Sequence, residues 1–279
     1  MSEFHPRRVA LAVLREPDPE RKAAAAIDLQ ARTLALLPCG EPDTAPDWTL
    51  TDLSAEATDG APLPGRPMRP TLVGAKDVPT RSPFTLEGRA ALLHAICHIE
   101  FNAINLALDA VWRFAGMPAA FYLDWLQVAA EEALHFRLLR EHLRSLGHDY
   151  GDCLAHDGLW SMCAKTAGDI VARMALVPRT LEARGLDATP LIQDKLTRAG
   201  DLRAVEILNI ILRDEVGHVA IGNRWFHHLC QARGLDAVSL YPQLVKQYEA
   251  PRLRPPFNEA ARRAAGFTDE ELAFLAGDE

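Results

Sequence analysis

Three glutamates stand where a helix should present apolar side chains. At about 100° per residue, Glu100 shares its face with Leu93, Ile96, Ile104, Ala107 and Val111. Glu132 falls among Trp125, Val128, Phe136, Leu139, Leu143 and Leu146, and Glu215 among Leu208, Ile211, Val219, Gly222, Phe226 and Leu229. A carboxylate inside an apolar stripe is costly unless something compensates its charge. Two of the three bring an imidazole three residues on, in Glu132-Ala-Leu-His135 and Glu215-Val-Gly-His218, where both side chains can reach one space. A lone Glu-x-x-His is usually a surface pair. Two in core register on separate helices, with another core glutamate upstream, match the carboxylate-bridged dimetal pattern, which draws one further Glu from each of the other two helices. The fourth acid has to come from a third long helix. Glu182 fits best, in line with Ala164, Val171, Ala175 and Pro178; Gly185 threatens to end the helix just after it, and Pro178 should kink it one turn before. Four carboxylates would then balance two divalent cations, with an imidazole at a terminal position on each. A network of Glu and His without a cation has to bury at least three carboxylates together, which is expensive.

The elements that must position these residues follow from the prolines. Twelve of 19 lie at or before Pro83, and between Phe84 and Asp236 there are only Pro118, Pro178 and Pro190. Since proline breaks helix interiors, the middle of the chain is where long helices fit. The pattern predicts helices over about 85–114, 118–146, 159–184 and 202–233, with Gly116, Gly147, Gly185 and Gly234 as stops. It adds one helix over 19–37, a short one over 190–198, and short tail helices near 237–248, 257–265 and 269–276. No convincing β alternation appears. The expected fold is all-α: an antiparallel four-helix bundle over 84–235, a helix and Pro-rich covering segment over 1–83, and a helical tail over 236–279.

Composition narrows the function. The 279 residues carry 30 Lys and Arg against 38 Asp and Glu, a net charge of −8, which argues against a general nucleic-acid binder. No 18-residue apolar run is apparent, so no membrane span is expected. The five cysteines, Cys39, Cys97, Cys153, Cys163 and Cys230, form no C-x-x-C pair and suit reduced thiols in a cytoplasmic protein. His94 and His98, four apart without a core acid beside them, read as a surface pair or as partners of the ligands. His148 and His156, in a Gly/Asp loop, read as solvated or as lining an entrance, and His227 and His228 read as surface. Arg66, Arg69, Lys76 and Arg81 among the prolines of the covering segment read as a basic strap over the bundle. No phosphate-binding glycine loop and no Ser-His-Asp set is present.

The segments AICHIEFNAINLALDAVWRFAGMP, AAEEALHFRLLREHLRSLGHDYGD, ARMALVPRTLEARGLD and EILNIILRDEVGHVAIGNRWF resemble the ferritin-like superfamily of di-iron carboxylate proteins. Within it they look like an uncharacterised bacterial ferritin-like family, domain of unknown function family 455. The resemblance covers about residues 6–248. It implies metal ligands Glu100, Glu132, His135, Glu182, Glu215 and His218, with Glu131 and Asp214 accepting hydrogen bonds from the ligating imidazoles. It implies two iron ions, with Mn/Fe or Mn/Mn pairs sharing the same donor preference. The expected activity is an O2- or peroxide-activating oxidoreductase, an oxygenase or oxidase, acting on a small molecule, served by an electron-donor protein and working as a monomer or dimer. The alternative is an iron-handling or peroxide-detoxifying protein without an organic substrate.

Overall fold

The computed structural model describes residues 4–35, 47–57 and 60–277. Cys39 and the first part of the covering segment lie outside these residues. Regular structure among them is helical; the one isolated β-bridge joins Leu72 and Ala155. The chain divides into two compact units, Met1–Asp157 and Gly158–Glu279.

The first unit is built on α3 (Leu86–Arg113) and α4 (Ala119–Ser145), which pack along each other. Thr85 caps α3 by accepting the Gly88 N–H, and α4 stops at Leu146 with Gly147 in the left-handed region at φ 81°. Two N-terminal helices cover this pair: α1 (Pro6–Arg15) lies on α3, and α2 (Pro19–Ala35) chiefly on α4. The sequence reading missed α1. Its pattern is short, but Pro6 suits a first helical turn and His5 caps it through Nδ1.

One anchor of this cover stands in a polar stripe on α3. His94, His98, Asn102, Asn105 and Asp109 are all buried, which removes the surface alternative for the two histidines. Asp109 pairs with Arg113 and accepts from Trp112 Nε1. Asn105 accepts from Lys22 Nζ of α2 at 2.5 Å, and the same ammonium donates to the Gly65 carbonyl of the strap at 2.7 Å. Gly65 passes so close to the end of α1 that a Cβ there would collide with the Arg15 carbonyl. Arg7 of α1 is fully buried; it donates to the Val111 and Trp112 carbonyls at the end of α3 and to the carbonyls of Trp48, Thr49 and Thr51. Helix ends leave such carbonyls unsatisfied, and here a guanidinium satisfies them. In the strap, Arg66 pairs with Asp157 at 2.7 Å, whereas Arg69, Lys76 and Arg81 are exposed.

The second unit centres on α8 (Leu202–Ala232). The helix expected over 159–184 is instead α5 (Gly158–Lys165) and α6 (Ile170–Leu176), separated where Asp169 turns to cap α6 through the Val171 and Ala172 N–H groups. After α6 comes a π-helical turn, Val177–Glu182, and then α7 (Ala183–Arg198). The expected kink at Pro178 thus takes the form of a π turn. Gly185 does not stop the helix: it stays helical, and a Cβ built on it would lie 3.9 Å from the Glu215 carboxylate. Pro190, inside α7, has no N–H to give the Leu186 carbonyl; the Asn258 side-chain amide supplies that bond at 3.1 Å. The tail forms α9 (Ala237–Gln247), α10 (Glu259–Ala264) and α11 (Asp269–Ala276), the last opened by a capping box between Thr268 and Glu271. Of all these helices α3 alone is apolar and long enough to cross a membrane, and 78% of its apolar window is buried within the protein.

Candidate metal centre

The apolar stripes read from the sequence are the buried faces of the helices. Leu93, Ile104, Ala107 and Val111 surround Glu100 on α3, Val128, Phe136, Leu139 and Leu143 surround Glu132 on α4, and all are buried. Both carboxylates are buried with them, as is His135. Because α3 and α4 pack side by side, the three side chains meet. His135 Nδ1 lies 3.3 Å from Glu132 Oε2 and 3.3 Å from Glu100 Oε2. One ligand atom from each residue lies within 4.8 Å of the other two, close enough for one cation to touch all three.

Two carboxylates are buried beside each other here. Burial, and then the neighbouring Glu132 carboxylate, push the Glu100 pKa up to about 8. A cation between the carboxylates would replace the proton that Glu100 otherwise keeps. Two carboxylate oxygens and one imidazole nitrogen make a donor set suited to iron or manganese, so these residues fit such an ion.

The flank of this set is aromatic. Phe101 and Phe136, each next in sequence to a predicted ligand, pack on Tyr150 with ring centroids 5.4 and 5.1 Å away. The Tyr150 hydroxyl hydrogen-bonds His98 Nδ1 at 2.9 Å, and His94 Nε2 accepts the Gly151 N–H at 2.9 Å. Burial lowers the His94 pKa to about 4 and that of His98 to about 3, so both rings are neutral at pH 7. Sequence reasoning passed over Tyr150, which sits in a Gly- and Asp-rich loop; its spacing from any helix stripe carries no signal.

In the second unit, Glu215 and His218 occupy the buried face of α8, with His218 Nδ1 4.0 Å from Glu215 Oε2. Glu182 is buried at the end of the π turn, and Gly185, one turn further, borders Glu215. Among the described residues, Glu182 is not gathered with Glu215 and His218 into a set at ligand spacing. Of the two acids expected to orient the imidazoles, Glu131 accepts from Gln127 Nε2 at 3.0 Å, and Asp214 accepts from its neighbour Arg213.

Comparisons with known proteins give a relative and a family. An uncharacterized protein of Haemophilus influenzae is 56% identical over 216 residues, covering 75% of either chain. No solved structure matches. The model of a family described as a protein of unknown function, DUF455, matches residues 15–273. With nearly the whole chain matched, the protein belongs to the DUF455 family.

Proposed function

We propose that this protein is a dinuclear non-haem metal carboxylate protein, with iron as the expected metal, that activates O2 or peroxide to oxidise a small organic molecule. In this reading α3, α4, the α6–α7 segment and α8 are the helices of a ferritin-like bundle. Glu100, Glu132, His135, Glu182, Glu215 and His218 are the ligands. The observation that carries the reading is the buried Glu100, Glu132 and His135 set on two packed helices, with Oε2 of both carboxylates 3.3 Å from one imidazole nitrogen. The second Glu-x-x-His, on α8, supports it. When bound, a pair of redox-active ions would supply the electrons that reduce O2 or peroxide.

The chain's own residues do the rest. Four carboxylates neutralise two divalent cations without a net buried charge, and six protein ligands leave coordination positions open. The apolar stripes of α3 and α4 keep water away from the ligands. Repeated turnover with O2 requires an electron donor, and a partner protein is the expected source. The chain is expected to act as a monomer or dimer in the cytoplasm.

Elemental analysis of protein purified from its own host tests the first half of this reading. About two ions per chain are expected, with at least one lost in Glu132→Ala and in Glu215→Ala. Unchanged stoichiometry in both variants would sink the ligand assignment. Exposure of the reduced, iron-loaded protein to O2 tests the second half: a transient optical change is expected. A many-subunit shell on size-exclusion chromatography would turn the reading toward iron handling without an organic substrate.

A further inference from the structure

The π turn between α6 and α7 is held from several sides. Pro178 has no N–H to offer the Met174 carbonyl, so regular helical pairing already fails there. The Thr180 hydroxyl donates to the Ala175 carbonyl at 2.8 Å, and its oxygen also meets the Tyr241 hydroxyl of α9 at 2.9 Å. Against α8, Pro178 fills the space left by Gly222, where a Cβ would come within 2.6 Å of the proline ring. One residue on, Arg179 Nε donates to Asn223 Oδ1 at 2.9 Å, and the Asn223 amide donates to the Ala265 carbonyl at 2.7 Å.

The remaining contact comes from the tail. Arg179 is buried, with its guanidinium 4.8–5.0 Å from the ring centroids of Phe226, Tyr241 and Phe267. Its Nη2 makes a short ion pair with Glu271 Oε1. The other oxygen of that carboxylate, Oε2, accepts the Thr268 N–H and so completes the capping box that starts α11; Oε1 also takes His227 Nε2 at 3.0 Å. Burial alone would raise the Glu271 pKa, but the His227 hydrogen bond, the Arg179 charge and the Thr268 N–H hold it down to about 2. A buried ion pair is a poor source of stability compared with apolar packing; its best-attested use is to select one conformation over another.

We infer that Arg179 and Glu271 are positioning residues: their pair pins the π turn, and through it Glu182, in the conformation that offers this carboxylate to a metal. The inference rests on the dinuclear reading above. A π turn contains one residue more than the α-helical path. Relaxation of the turn to a regular helix would therefore swing Glu182 by about 100° around the helix axis. The tail thus controls a ligand although none of its own residues belongs to the ligand set.

A double-mutant cycle on the full chain, titrated with Co2+ alone, tests this. The variants are Glu182→Ala, Glu271→Gln and the two combined, with circular dichroism to confirm that each is folded. Glu271→Gln keeps the shape of the side chain and removes its charge. It is expected to weaken one of two Co2+ ions by about tenfold or more, the range seen when groups that orient ligands are lost. The combined variant should bind no more weakly than Glu182→Ala alone, because both changes act through one ligand. Wild-type Co2+ binding in a folded Glu271→Gln variant, or additive losses in the combined variant, would overturn the inference. Should Glu271→Gln not fold, Arg179→Lys, which keeps the charge but loses the bond to Asn223, takes its place in the same cycle. If Glu182→Ala by itself leaves both Co2+ ions in place, the ligand assignment fails and the positioning role falls with it. That outcome is recognised without any change at Glu271.

Discussion

Glu100 holds its proton near neutral pH while buried beside Glu132, and this sets the acid–base behaviour of the site. In the metal-free protein its pKa lies near 8 against 4.5 for an ordinary glutamate, so across that window the folded state binds the extra proton. Stability therefore falls as pH rises through the window, by at most about 1.4 kcal/mol per pH unit from this group. His94 and His98 act in the opposite sense, but only below their ordinary value of 6.5. Thermal melts of metal-free wild type and Glu100→Gln between pH 6.5 and 8 should thus differ in slope, with only wild type carrying the downward component from Glu100. Parallel curves would contradict the assigned proton. Metal binding should likewise release that proton and tighten by up to about tenfold per pH unit over the same range. At this scale the sequence was informative for a specific reason. A carboxylate within an apolar period is anomalous wherever it occurs, so Glu100, Glu132 and Glu215 announced themselves. His94 and His98 did not: a polar stripe looks the same in sequence whether it faces water or, as here, the Tyr150–Gly151 loop.

Among the elements, α1 is tied to its neighbours by one buried guanidinium as well as by its apolar face. Arg7 gives its N–H groups to five carbonyls, two at the end of α3 and three in residues 48–51. Arg7→Met keeps much of the packing volume but takes a donor from each of these carbonyls; Thr49 keeps the Gly116 N–H and the Tyr122 hydroxyl, and a buried acceptor that loses its donor costs about 1–3 kcal/mol. A loss of roughly 3 kcal/mol or more is expected in denaturant unfolding. Faster amide exchange at the end of α3 should accompany it, with exchange in α8 unchanged. The long helices α3, α4 and α8 were legible from their proline-free length and glycine stops. The third was not. Asp169 reads equally well as a helix-interior acid or as a cap, and nothing in VPRTLE distinguishes a π turn from a kink. Gly185 looked like a terminator because glycine commonly ends a helix, whereas α7 runs through it and sets it beside Glu215, 30 positions away.

For the molecule as a whole, the metal reading makes stability a function of loading. A ligand that binds only the folded state stabilises it by about 2.7 kcal/mol at a hundred times its dissociation constant. Differential scanning of the chain with and without Fe2+ under anaerobic conditions should show a higher midpoint on loading. The gain should shrink in Glu132→Ala, and an unchanged midpoint would count against a site built from these carboxylates. The helical class and the helices that carry Glu100, Glu132 and Glu215 were open to a reader of the sequence. The use of the N-terminal segment was less so, because its anchoring pairs, Lys22 with Asn105 and Arg7 with the end of α3, span 83 to 105 positions. That covered stripe also bears on synthesis. A ribosome makes α1, α2 and the strap before α3, so Lys22, the partner of Asn105, and Arg7, the partner of the last α3 carbonyls, are already made when that helix emerges. A circular permutant that places residues 1–83 last would leave Asn105 and the last carbonyls of α3 without these partners until the chain is complete. Its yield of soluble protein in translation should drop even where the finished chain, once refolded, is as stable as the original.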